Sequence, residues 1–121
     1  MKALIAVAIG GALGASARFA TGLVTSAVFG PTFPYAVLIV NVSGSFAIGY
    51  LFPIIAQGSD QSVYHALIIV GFLGAFTTFS TFSLDTIQLI QSGQAVKAFV
   101  NVCANLLLCL CACWLGLLLA R

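Results

Sequence analysis

Gly71-Phe72-Leu73-Gly74-Ala75-Phe76-Thr77-Thr78-Phe79-Ser80-Thr81-Phe82-Ser83 lies inside a long hydrophobic segment, yet five of its last seven residues carry hydroxyls and the other two are Phe. A helix facing lipid on all sides has no use for so many hydroxyls. Gly71 and Gly74 precede them and suggest backbone that bends or opens. Irregular backbone at membrane depth survives only when it is buried in protein or lines a wet cavity, because hydrocarbon offers no hydrogen-bond partner. The stretch is therefore read as part of a polar pathway through a membrane.

The rest of the chain fits that solvent. Of 121 residues, 62% are hydrophobic and 5% charged, whereas a soluble domain averages about 25% charged residues. The chain reads as an integral membrane protein, all-α, with room for about four spans of roughly 20 residues each. Met1-Lys2 precedes a run too long for a signal-peptide core, so that run is expected to remain as the first span. The spans are placed at about 3–29, 35–55, 63–90 and 95–120, with a break in the third near 74–78, in a single domain covering 1–121. So small a bundle encloses little alone, and a homo-oligomer is expected. The formal charge of +2 is too weak and scattered to suggest nucleic acid.

Between the spans, Gly30-Pro31-Thr32-Phe33-Pro34 and Gln91–Gln94 around Gly93 have turn composition, and 56–62 is a loop holding Gly58 and Asp60. Gly10, Gly14 and Arg18 repeat every four residues in the first span, as do Gly11 and Ala15. Small residues at that spacing let helices approach closely. Arg18 has to find an aqueous vestibule, a partner, or the interface, because a cation in hydrocarbon costs at least ~2.5 kcal/mol. Two stripes, Asn41-Ser45-Gly49 in the second span and Asn101-Asn105-Cys109 in the fourth, place polar or small residues one turn apart. Each amide is read either as interhelical glue or as a pathway lining. His65 reads as interfacial, and Asp85 as an interfacial residue or a partner for Arg18. Cys103, Cys109, Cys111 and Cys113 are scattered around one helix and read as packing residues.

The donor set suits an anion. Asn amides and Ser or Thr hydroxyls donate hydrogen bonds, the one charge well inside a span is Arg18, and the chain contains no Glu. Phe72, Phe76, Phe79 and Phe82 are spaced to share one helical face. Either they pack, or their positive edges offer an anion the weak coordination that conduction requires. A helix interrupted at Gly74–Thr78 would also leave carbonyls at the end of its first half, a setting that holds Na⁺ in other membrane proteins. Lys and Arg divide two against two between the sides of a four-span chain, with Lys2 and Arg121 on one side and Lys97 on the other, joined by Arg18 if it belongs to that half. With no bias the chain can insert both ways, which permits an antiparallel dimer.

Gly71-Phe72-Leu73-Gly74 followed by Thr77-Thr78-Phe79-Ser80-Thr81-Phe82-Ser83 resembles the signature of the Fluc (CrcB-type) fluoride channels. Gly10-Gly11-Ala12-Leu13-Gly14-Ala15 with Arg18, and Asn41 with Gly44 and Gly49, resemble that family's first two helices. The resemblance runs over nearly the whole chain. It implies an antiparallel dual-topology homodimer with two pores that exports fluoride passively from a bacterial cytoplasm through the plasma membrane, a channel and not an enzyme. It implies a structural central Na⁺ on the backbone carbonyls of Gly74 and Thr77. It carries the pore roles to Asn41, Phe79 and Phe82, the polar track to Ser80, Thr81, Asn105 and Cys109, and the vestibule role to Arg18. Ala75, Phe76, Asp85, Cys109 and Asn101 depart from that pattern, which often has Gly, Leu, Glu, a hydroxyl residue and an aromatic there. The rival readings are a small multidrug-type four-helix transporter, which would need a carboxylate in a span, and a structural subunit of a larger complex.

Overall fold

A computed structural model of the chain describes residues 1–58 and 61–121. Asp60, expected in a loop, lies outside the described residues. Every regular element described is helical: α1 (Lys2–Phe29), α2 (Tyr35–Ala56), α3 (61–76), α4 (Phe79–Gln91) and α5 (Ala95–Leu119). α3 and α4 are the two halves of the third span, so four spans are long and apolar enough to cross a membrane. The chain is a multi-pass membrane protein with a broken third span.

Local chemistry sets the ends. α1 stops at Gly30, whose φ of +69° suits a residue without Cβ, and Pro31 and Pro34 follow. α4 ends in a Schellman turn around Gly93, φ +76°. The Gln94 N–H donates to the Leu89 carbonyl at 2.8 Å and the Gly93 N–H to the Ile90 carbonyl at 3.0 Å, closing carbonyls that the helix end would leave open. Across the bundle, Lys97 Nζ donates to the Thr32 carbonyl at 3.0 Å, so the α1–α2 turn is fastened to the start of α5.

α3 is not a plain α-helix. An α-helical turn (Gln61–Tyr64) leads into a wide π-helical stretch (His65–Leu73) and one last α-helical turn (Gly74–Phe76). Nothing in the sequence pattern announced the widening, which no turn residue or periodicity encodes. π-Helical backbone is rare and is frequent at functional sites. Here it runs directly into the break.

Glycine sets the two closest crossings. α1 packs on α3, where a Cβ on Gly10 would strike the Leu67 carbonyl, one on Gly14 the Phe72 carbonyl, and one on Gly71 the Val7 carbonyl. α2 packs on α5 in the same way, with Gly49 against the Cys113 backbone and Gly116 against Phe46 and Tyr50. Lipid tails are as apolar as leucine, so burial gives helices little reason to pair, and close backbone approach supplies dispersion contact instead. α4 lies against α5, while α1 does not reach α5 among the described residues. Outward faces of α1 and α5 carry Leu, Ile, Val and Phe side chains that are more than half exposed, which suits lipid.

Candidate functional site

The break consists of two extended residues, Thr77 (φ −81°, ψ 159°) and Thr78 (φ −155°, ψ 118°). Thr77 is accommodated because its methyl sits directly on Gly44 of α2, where a Cβ would collide. Thr78 then begins α4 as its N-cap: its Oγ1 accepts from the Thr81 N–H at 3.2 Å and donates to Thr81 Oγ1 at 3.0 Å, satisfying one of the donors that open a helix.

An extended residue at membrane depth needs partners for its own backbone, since each unpaired group costs several kcal/mol there. Asn41 supplies both. Its Oδ1 accepts from the Thr78 N–H at 2.8 Å, and its Nδ2 donates to the Thr78 carbonyl at 3.1 Å. The side-chain amide thus stands in for a neighbouring strand. Its second N–H goes to Asn105 Oδ1 at 3.0 Å, which spends both of its donors.

The arrangement has a consequence for two carbonyls. In an unbroken helix the Thr78 N–H would close on Gly74 O and the Thr81 N–H on Thr77 O. Here the first is taken by Asn41 and the second by Thr78 Oγ1. Gly74 and Thr77 therefore lose their helical donors at the C-terminal end of α3, where the macrodipole is negative. Hard, neutral carbonyl oxygens in that position suit a hard cation.

Most of the sequence-derived residues line three hollows, which have Thr78 and Thr81 as shared lining residues. A cleft of about 410 Å³ at the break is lined by Asn41, Ser45, Gly74, Thr77, Thr78, Phe79, Phe82, Asn105 and Cys109, together with apolar side chains. This one wall joins both polar stripes to the broken span. On the other side of Thr78, a recess of about 450 Å³ holds Arg18 with Thr78 and Thr81. Thr81 also borders a wider polar mouth of about 710 Å³, with Asp85, Gln88 and Lys97. Arg18 and Asp85 thus line different hollows, and no ion pair joins them among the described residues. Ser80 is exposed, outside these hollows, with its Oγ 3.3 Å from Thr78 Oγ1.

The phenylalanines do not form the single stripe that their spacing suggested. Because two extended residues separate Phe76 from Phe79, the rings fall into two pairs: Phe72–Phe76, stacked with centroids 5.7 Å apart, and Phe79–Phe82, tilted at 5.3 Å. The second pair faces the cleft. Phe82 is buried and Phe79 is 74% exposed, a large apolar surface to leave open beside polar groups. His65 is exposed and meets Phe52 edge-on at 6.2 Å. The four cysteines are free thiols, and of them Cys109 lines the cleft.

Two residues central to this geometry, Thr78 and Thr86, were not among the site residues drawn from the sequence, although Thr78 was placed at the break. Thr78 carries the cap and the break, and a Thr three residues before another Thr at a helix start was the available signal. Thr86 accepts from Asn101 Nδ2 at 3.0 Å, a pairing across fifteen residues that no local spacing reveals.

The chain matches known proteins over almost its whole length. The family model described as CrcB-like protein, Camphor Resistance (CrcB) matches residues 5–117. A Methylococcus capsulatus protein named "Fluoride-specific ion channel FluC" is 47% identical over 98% of this chain, which spans 52% of that relative's length. Proteins of the same name from Shewanella amazonensis and Shewanella loihica are each 45% identical over 96% of this chain and 94% of their own. A match over almost the full set of spans, break included, leaves one assignment: the chain belongs to the CrcB-like family of membrane channels, and is no enzyme.

Proposed function

We propose that this protein is a fluoride channel of the bacterial plasma membrane, letting fluoride leave the cytoplasm passively through the cleft at the break. The observation that carries the reading is the composition of that cleft. Asn41, Asn105, Cys109, Phe79 and Phe82 share one wall at membrane depth, within a family whose named relatives are fluoride-specific channels.

The chain's residues divide the work. Arg18 in its recess attracts an anion toward Thr81, whose Oγ1 already accepts from Thr78, so its own O–H can be offered to the ion. Beyond Thr78, the Phe79 and Phe82 edges give weak coordination, and weak sites let an ion leave. Asn41 and Asn105 are paired with each other, so either donates to a passing ion only by exchanging one hydrogen bond for another. Such exchanges keep the wells shallow.

The same reading assigns an antiparallel homodimer with two pores. The exposed Phe79 and the open cleft are what a second copy would close, and the even Lys and Arg split permits insertion both ways. A structural Na⁺ would be held by the Gly74 and Thr77 carbonyls; two carbonyls are too few for a buried cation, and a two-fold axis doubles them to four. Bound there, the ion supplies positive charge that fixes the two breaks against each other.

The test is fluoride efflux from liposomes containing this protein alone, followed with a fluoride electrode. Rapid efflux is expected, with Phe79→Ile or Phe82→Ile slowing it in a still-assembled protein. Efflux no faster than from empty liposomes would end the proposal. Stability of the assembled protein should also fall on exhaustive Na⁺ removal, and indifference to Na⁺ would remove the cation from it.

A further inference from the structure

Behind the cleft, a directed hydrogen-bond chain leaves Asn41 and runs through α5 to α4. Asn41 Nδ2 donates to Asn105 Oδ1, Asn105 Nδ2 to Asn101 Oδ1 and Asn101 Nδ2 to Thr86 Oγ1, each at 3.0 Å; Thr86 Oγ1 donates to the Phe82 carbonyl at 2.7 Å. Asn101 is 0% exposed and does not line the cleft. We propose that Asn101, held by Thr86, is a positioning residue for the pathway: it fixes the orientation of the Asn105 amide, and through it Asn41 and the Thr78 break.

The polarity of the chain follows from its ends. A carboxamide can turn over and exchange its oxygen for its nitrogen, so its orientation has to be set by its neighbours. Thr86 has one proton, and the Phe82 carbonyl takes it. Toward Asn101 the hydroxyl can only accept, so Asn101 must present Nδ2 to Thr86 and Oδ1 to Asn105. Asn105 must then turn its own Nδ2 to Asn101, where it also reaches the Asn101 carbonyl at 3.0 Å, and its Oδ1 to Asn41. At the other end the Thr78 N–H demands Oδ1 of Asn41. Both ends impose the same direction. A flipped Asn105 would set two NH₂ groups face to face and pull Asn41 from the break.

Asn101 and Thr86 do not line the cleft, and each acts on it through a residue that does, Asn105 and Phe82. This rests on the fluoride reading for the meaning of the pathway, but the hydrogen-bond chain has a readout of its own: hydrogen exchange at the Thr78 backbone amide, which Asn41 protects.

The experiment compares Thr86→Val, Thr86→Ser, Asn101→Leu and the Thr86→Val/Asn101→Leu double variant, each by residue-resolved hydrogen exchange and by liposome flux. Thr86→Val is expected to accelerate Thr78 exchange and to slow fluoride flux about fivefold to tenfold, the size of one hydrogen bond's net contribution. Thr86→Ser keeps the hydroxyl and should restore both. Asn101→Leu should match Thr86→Val, and the double variant should be no worse than Asn101→Leu, since one chain is broken once. Unchanged Thr78 exchange in Thr86→Val overturns the proposal, as does faster exchange with normal flux, or an equal loss in Thr86→Ser. If Asn101→Leu fails to assemble, the Val and Ser pair at position 86 decides alone. Wild-type protein inert to fluoride would sink the channel reading and the pathway role with it, whereas unchanged exchange sinks the positioning role alone.

Discussion

The crossing of α1 on α3 and the contact around Asn41, where α2 meets Thr78 and Asn105 away from its own Gly49–Gly116 crossing with α5, hold neighbouring helices by opposite means. At the first, Gly10, Gly14 and Gly71 lay backbone on backbone, and nothing but atom size matters. At the second, Asn41 reaches across to Thr78 and Asn105 with three hydrogen bonds between 2.8 and 3.1 Å, and donor and acceptor identity matters more than volume. The two regions answer one shortage, the absence of a hydrophobic drive between helices in lipid. One answers it with proximity, the other with polar pairing. The break relies on the second because a broken helix exposes backbone groups that proximity alone cannot satisfy.

Substitutions that change size without polarity, or polarity without size, separate the two. The largest effect belongs to Gly14→Val: its added atoms meet the Phe72 backbone, which cannot swing aside as a side chain would. A loss of about 3 kcal/mol or more is expected, read as failure to recover folded protein from detergent; a normal yield and melting temperature would show that the crossing can spread. Next comes Asn41→Leu, close in volume but without an amide. It leaves the Thr78 N–H and carbonyl unpaired, at about 2–3 kcal/mol, with thermal unfolding in detergent and fluoride flux both expected to fall. A variant as stable as the wild type would mean that water or lipid headgroups reach the break.

Smaller still is Thr78→Val, which removes the cap of α4 and keeps the extended β-branched backbone. About 1 kcal/mol should be lost, and Thr78→Ser should recover most of it; equal behaviour of the two variants would remove the hydroxyl from the account. The smallest effect is at Gly22, where a Cβ would meet nothing within 4 Å. Gly22→Ala is expected to melt at or slightly above the wild type, because alanine favours the helix by up to about 1 kcal/mol. A marked loss there would reveal a contact made only in the assembled channel.

Much of this was legible beforehand. Composition and run length placed four spans, since hydrocarbon demands apolar side chains and helical backbone over a fixed thickness. The hydroxyl-rich run after Gly71 and Gly74 pointed to the break. The i, i+4 small residues pointed to close crossings, though spacing alone could not say which helix would be met, and Gly11 proved to face open space while Gly10 and Gly14 did not. The polar stripes offered glue or lining as alternatives for Asn41. In the fold its amide is bonded to Thr78 and Asn105, and the residue also borders the cleft. Asn101 shared a stripe with Asn105 and Cys109, yet it is wholly buried and Cys109 borders the cleft.

By itself, then, the sequence determined solvent, span number and the position of the weak point, because those depend on local composition summed along the chain. Only the tertiary structure decided which amide meets which partner. Hydrogen bonds such as Asn41 to Thr78, or Asn101 to Thr86, join residues far apart in the chain, and their existence depends on distances set by glycine crossings elsewhere. The wide turns of α3 belong with them, as does the division of four phenylalanines into two pairs. A break can be guessed from Gly and Thr; what satisfies it has to be brought there by the fold.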